Sequence, residues 1–211
     1  MNDNKRTVMA IGAHTGDAQL TCGLLLARYA RQGDRVITLD LTAGEFARMM
    51  GGESIVLEIP DGELEYSQTL AIRIADILRE YRVSVVLYHW KNSMHKDHIA
   101  ASRLTTDAIF FASLPTFDRP LPPVSVHRML YAENWEDSEG FVPYVYFDVT
   151  DAFPLWRDAV RKLYLAEHST SFKYLQYYEG LARMRGAQIK TEYGTAFGVD
   201  DYAKRVIMDT V

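Results

Sequence analysis

A chain of 211 residues, 48% hydrophobic and 24% charged, has the composition of an ordinary globular protein and the length to close one sizeable core. Its net charge of −5 argues against a nucleic-acid partner, since phosphate contacts need a lysine and arginine surplus. Cys22 is the sole cysteine, which excludes an intrachain disulfide and a thiolate metal cluster.

Taken in order, the polar start Met1–Thr7 and the short apolar run Val8–Ala13 predict neither a signal segment nor a membrane span, so a cytoplasmic location is expected. Thr7–Gly12 is a short β-rich run that predicts a buried strand. Asp17 can cap a helix over Ala18–Gln32, stopped by Gly33. Arg35–Leu41 is a second strand, followed by Thr42-Ala43-Gly44-Glu45, a weaker stretch reaching Ile55–Leu57, and the turn Pro60-Asp61-Gly62. Tyr66, Leu70, Ile74, Ile77 and Tyr81 recur at helical spacing, predicting an amphipathic helix over Glu65–Tyr81. Val83–Tyr88 is another strand, and a polar loop leads to a helix from about His98 to Ser113. Pro115–Pro123, with four prolines, is a connector. Strands near Arg128–Tyr131 and Val145–Val149 precede a helix over Phe153–Glu167 and a last one over Phe172–Arg185.

Strand–helix alternation of this kind predicts an α/β fold, Rossmann-like, with three α/β/α layers around a mostly parallel sheet and a single domain over residues 1–211. Ligands of such sheets bind beyond the carboxyl ends of the strands. His14, Glu45 and the cluster His89–His98 each follow a different predicted strand, so one rim can gather them.

Two constellations carry chemistry. Ala13-His14-Thr15-Gly16-Asp17 and His95-Lys96-Asp97-His98 both lie between a strand and a helix. Two imidazoles and a carboxylate from such turns leave a fourth metal position open for water, as catalytic zinc sites do. Singly, Asp17 and Asp97 are better explained as helix caps and each histidine as an ordinary loop residue; it is together, after two strands at one face, that they point to a metal site. His89 and Trp90 either line a pocket or pack. Tyr131–Gly140 is a lid or a solvated loop, and the aromatics of Phe172–Tyr178 are core or oligomer contact. Gly12–Gly16 does not complete a dinucleotide fingerprint.

These segments resemble the PIG-L/LmbE-like family of zinc-dependent N-deacetylases, whose members carry Ala-His-Pro-Asp-Asp after the first strand and His-Pro-Asp-His later. Further matches are Pro60–Leu64, Tyr146–Asp151, Glu167–Ser169 and the closing Tyr193–Val199, all in the family's order. The resemblance implies a metal ion, Zn2+ or another divalent cation, held by His14, Asp17 and His98. It implies that His95 stabilises an oxyanion or protonates a leaving amine, and that Asp97 supports the histidines. An N-acyl amino sugar or a similar small molecule is the implied substrate, and a homo-oligomer the expected assembly.

The chain also departs from the pattern. Gly16 stands where the family's general base is expected, Thr15 and Lys96 replace its prolines, and Phe46–Ile59 is a short substitute for a longer family segment. Losing a positioned base typically costs ~10²–10⁴-fold in rate. Glu45, or a His95–Asp97 pair, is the expected replacement, while Lys96 is either solvated or a stabiliser of negative charge. Two functions follow: a metal-dependent N-deacetylase, or a non-catalytic metal- and ligand-binding relative acting as sensor or partner subunit.

Overall fold

Short β-branched runs alternate with amphipathic stretches, and in the computed structural model, which describes residues 5–42 and 52–204, they assemble as layers on one sheet. Its strands are β1 Thr7–Gly12, β2 Arg35–Thr42, β3 Glu53–Ile59, β4 Val85–His89, β5 Arg128–Ala132, β6 Val145–Asp148 and β7 Gly194–Gly198. The order is β3-β2-β1-β4-β5-β7-β6. β3, β2, β1, β4 and β5 pair in parallel, and β7 is antiparallel to both β5 and β6.

Period-two alternation along β1 splits the core. Met9 and Ile11 pack toward α2 (Gln68–Glu80) and α3 (Lys96–Ser113), meeting Ile74, Leu78 and Leu104. Val8 and Ala10 pack toward Leu25 and Leu26 of α1 (Gly23–Arg31). Beyond α1, α4 (Phe153–Val160) and α6 (Tyr174–Gln188) add a second cluster around the fully buried Trp156. The three-layer, mostly parallel architecture is the one expected. Among the described residues no helix is long and apolar enough to cross a membrane.

Several boundaries differ from the sequence reading. The first helix opens as a π-helical turn, Ala18–Cys22, before α1. Trp156 Nε1 donates to the Gln19 carbonyl at 3.0 Å, and its ring lies where a Cβ on Gly23 would fall 2.6 Å from Cδ1. The indole thus takes a carbonyl of the widened turn, and glycine admits the ring. The second helix starts later than Glu65 because Ser67 caps it, its Oγ accepting from Leu70 N at 3.2 Å. The helix expected over Phe153–Glu167 is two, α4 and α5 (Tyr164–His168), because Leu163 turns extended and buries its side chain. β7 carries no strand pattern in sequence, yet it joins β6 to β5.

Candidate metal centre

The strand order reverses between β1 and β4, the crevice where doubly wound sheets bind ligands. His14 and Asp17 follow β1, His89 ends β4, and His95 and His98 open α3. Four imidazoles therefore converge: His14–His95, His95–His98 and His89–His98 ring centroids lie 4.7, 4.8 and 4.1 Å apart.

Asp17 is at the centre. Its Oδ2 accepts from the His14 backbone N–H at 2.8 Å, so the carboxylate turns back to the strand end rather than capping the following helix. The same oxygen lies 3.3 Å from His14 Nδ1 and 3.4 Å from His98 Nε2. Burial would raise its pKa, but contacts from His14, His89 and His98 hold it well below the usual carboxylate range.

Each ring is oriented by its other nitrogen. His98 is buried, and its Nδ1 meets Asp137 Oδ1 at 2.8 Å, which leaves the Nε2 lone pair facing Asp17. His14 Nε2 lies 3.2 Å from Asp97 Oδ2 and 3.0 Å from Asp61 Oδ1, leaving Nδ1 toward Asp17. His89 differs. Its Nδ1 is 2.9 Å from Asp137 Oδ2, but its Nε2 accepts the Ala13 backbone N–H at 3.0 Å. The same Nε2 lies 3.3 Å from Asp17 Oδ2, and although burial lowers its pKa, Asp137 and Asp17 push it up to about 9, so His89 joins β4 to the end of β1 and to the centre itself. Asp137 clamps both His89 and His98; burial would raise its carboxyl, and the two imidazoles hold it well below the usual range.

Three imidazole nitrogens, from His14, His89 and His98, face one carboxylate oxygen and need either protons or a cation between them. Burial disfavours charge on the His14 and His98 rings, yet neighbouring carboxylates raise them, Asp17 and Asp61 for His14, Asp137 and Asp17 for His98. Tetrahedral ligands about 2.1 Å from zinc lie about 3.4 Å apart. The 3.3 and 3.4 Å separations at Asp17 Oδ2 match that edge. Carboxylate partners on the far nitrogens, Asp97 and Asp137, are what metal-bound histidines commonly have. The donor set fits a divalent cation. Ligand atoms within 4.8 Å of one another group Asp17 with His89 and His98, His14 with His95 and His98, and His14 with Asp61 and Asp97.

His95 caps α3, a role the sequence reading offered to Asp97. Its Nδ1 accepts the Asp97 backbone N–H at 3.2 Å, so the proton sits on Nε2. The Asp97 carboxylate points elsewhere, accepting from Gly62 N at 2.9 Å and supporting His14. The expected His95–Asp97 acid–base pair is therefore not formed, because one backbone amide already uses the nitrogen such a pair would need. Glu45 lies outside the described residues. Lys96 is exposed and does not line the cavity.

That cavity, about 260 Å³, is bounded by His14, Gly16, Asp17, Asp61, His95 and His98, and closed by Trp135, Glu136, Leu165 and Tyr174. Asp137, Glu136 and the walls from α5 and α6 were missed in sequence. The run Tyr131–Gly140 was the available signal, but as a lid or solvated loop. Instead Asn134 and Asp137 are buried, and Trp135 stacks on Phe172 at 4.2 Å.

Gly16 is more than a lost carboxylate. Its φ is +106°, and an added Cβ would lie 2.9 Å from Leu165 Cδ2. Leucine's flexible end can yield, whereas the backbone angle disfavours any L side chain. Gly16→Asp is expected to lower stability by roughly 1–3 kcal/mol and to leave turnover no higher, checked by thermal melts beside an amide-hydrolysis assay. A stable and more active variant would show that the turn relaxes to accept the residue.

This geometry defines a Rossmann-like α/β protein with a histidine–carboxylate centre at the switch point of its sheet. Residues 45–109 match the family model described as PIG-L, GlcNAc-PI de-N-acetylase. The conserved protein TT1542 of Thermus thermophilus superposes with TM-score 0.81 at 23% identity, covering 97% of this chain and 99% of its own. GalB, the 4-carboxy-2-hydroxymuconate hydratase of Pseudomonas putida, gives 0.83 at 18%, covering 98% and 100%. The N,N′-diacetylchitobiose deacetylase of Pyrococcus horikoshii gives 0.76 at 21%, covering 93% and 84%. The PIG-L/LmbE-like resemblance thus holds in a matched segment and in a fold shared over nearly the whole chain.

Proposed function

We propose that this chain is a metal-dependent amide hydrolase that removes an acyl group, acetyl foremost, from the nitrogen of an amino sugar or related small molecule. The observation that carries this reading is Asp17 Oδ2 standing 3.3 and 3.4 Å from two imidazole nitrogens whose partner nitrogens are fixed by carboxylates. The segment matching a de-N-acetylase model supports it, because that segment contains Asp61, His95, Asp97 and His98. A hydratase shares the fold, so the fold alone does not choose the bond that water attacks.

His14, Asp17 and His98 would hold the cation, zinc or another divalent ion that a His₂Asp set accepts. When bound it supplies Lewis acidity, bringing a water's pKa toward neutrality and polarising the acyl carbonyl. His95 lines the cavity with its Nε2–H as a hydrogen-bond donor, suited to the developing oxyanion. Asp97 keeps His14 in the Nε2–H tautomer and Asp137 keeps His98 in the Nδ1–H tautomer. Trp135, Leu165 and Tyr174 give the cavity apolar walls for a sugar-sized ligand. Work as a homo-oligomer in the cytoplasm belongs to the same reading.

Zinc-reconstituted protein is expected to release amine from N-acetylglucosamine or N,N′-diacetylchitobiose, to stop after dialysis against a chelator, and to resume when metal is returned. Turnover indifferent to the chelator would remove the metal from the reading. Stoichiometric metal without turnover on any N-acyl substrate would select the non-catalytic sensor or partner subunit instead.

A further inference from the structure

Amide hydrolysis needs a group to accept the proton of the attacking water, and position 16 offers none. The described carboxylates around the centre are mostly committed. Asp17 and Asp137 each serve more than one imidazole, Asp97 serves His14 and Gly62 N, and Asp61 lies 3.0 Å from His14 Nε2. Asp40 is fully buried, with Gln19 Nε2 3.4 Å from its Oδ2, and does not line the cavity.

Glu136 is different. The turn Trp135–Asp137 folds around the His98 ring, so that Asp137 meets Nδ1 while Glu136 Oε2 stands 3.8 Å from Nε2. That separation is too long for a direct hydrogen bond and sets the carboxylate beside the nitrogen that faces Asp17. The Glu136 carbonyl accepts from Met94 N at 3.1 Å and Ser93 Oγ at 3.4 Å, which ties the turn to the loop carrying His95. Its side chain is 21% exposed and lines the same cavity as Gly16, His95 and His98. Burial raises the phenols of Tyr174 and Tyr178, both at the cavity wall, and the Glu136 charge adds to both.

We propose that Glu136, carried by the turn after β5, is the general base of this chain in place of the carboxylate absent at Gly16. The inference rests on the hydrolase reading above. Glu136 accepts a proton from water as the water oxygen bonds to the acyl carbon. Glu136 gives that proton to the nitrogen as the C–N bond breaks, while the His95 Nε2–H stays in place and donates a hydrogen bond to the oxyanion. Acid and amine then leave with both side chains in their starting state.

The test compares wild type, Glu136→Gln, Glu136→Ala and Glu45→Gln, all reconstituted with zinc and assayed on N-acetylglucosamine and N,N′-diacetylchitobiose. Glu136→Gln is expected to keep wild-type zinc content and zinc affinity while kcat falls ~10²–10⁴-fold. Added formate is expected to restore part of the turnover of Glu136→Ala and to leave wild type unchanged. Near-wild-type turnover in Glu136→Gln overturns the inference, as does the loss appearing in Glu45→Gln alone. Zinc lost from Glu136→Gln also overturns it, by making the residue a ligand. Wild type inactive on both sugars with zinc bound removes the hydrolase reading and this inference together, whereas an active wild type matched by Glu136→Gln removes the inference alone.

Discussion

His98→Ala is expected to come through purification and zinc reconstitution without metal, as read by elemental analysis beside wild type, and without hydrolytic turnover. The ring is 1% exposed and lies between two carboxylates, with Nδ1 2.8 Å from Asp137 and Nε2 3.4 Å from Asp17. Alanine removes a nitrogen from the donor set and leaves Asp137 with His89 as its remaining imidazole. The graded counterpart is Asp137→Asn, which keeps every proposed ligand but presents a mixed amide to two N–H groups. Losing such a supporting carboxylate typically weakens metal affinity ~10–100-fold. Competition titration against a chromogenic chelator should therefore rank wild type above Asp137→Asn and Asp137→Asn above His98→Ala. Full zinc in His98→Ala would remove that residue from the ligand set. Equal affinity in wild type and Asp137→Asn would mean that packing alone fixes the ring.

The part of the centre that could be read in the sequence is the part that follows strands. β1 and β4 are short apolar runs bounded by polar turns, so His14, Asp17, His95 and His98 could be assigned to one rim by topology alone. Asp137 could not. It sits in an acidic stretch whose ordinary fate is solvent, and its burial comes from α6 and β4 packing on the turn that carries it. Nothing local distinguishes it from Glu139, which is exposed. Direction of a side chain was equally illegible. Asp97 and His95 are two residues apart, yet the helix start sends one to His14 and gives the other the cap. In the fold, β7 escaped notice because Gly-Thr-Ala-Phe-Gly has no alternation: it pairs with β5 and β6 on its two edges, and its residues are buried on both faces. The break at Leu163 escaped because no glycine or proline marks it.

Arg79→Met is expected to lower stability by about 3–5 kcal/mol, the second large effect in this molecule. Arg79 lies in the last turn of α2 and is 3% exposed, unusual for a residue outside the metal centre. Its guanidinium donates to the carbonyls of Phe111 at 3.0 Å, Ala112 at 3.1 Å and Leu114 at 2.9 Å, and to Leu121 at 2.9 Å in the proline-rich connector. The end of α3 has no glycine to reverse the chain, and Pro115 brings no amide, so its last carbonyls need an outside donor. One planar, permanently charged group with five N–H bonds closes the helix and pins the connector in a way lysine's point charge cannot. Methionine keeps the apolar stem and strands the carbonyls of Phe111 and Leu121, while Ala112 keeps Val124 N at 3.0 Å and Leu114 keeps Phe117 N at 3.4 Å. The cost is roughly 1–3 kcal/mol for each stranded carbonyl that water does not reach. Arg79→Lys should fall between Met and wild type in urea unfolding, and a loss below about 1 kcal/mol in Arg79→Met would mean that solvent already serves that helix end. The metal centre supplies an internal control. His95 and His98 occupy the opposite end of α3, about 25 Å away at the helical rise. Metal content of the folded Arg79→Met protein should match wild type while its unfolding midpoint drops, separating what holds the scaffold from what holds the ion.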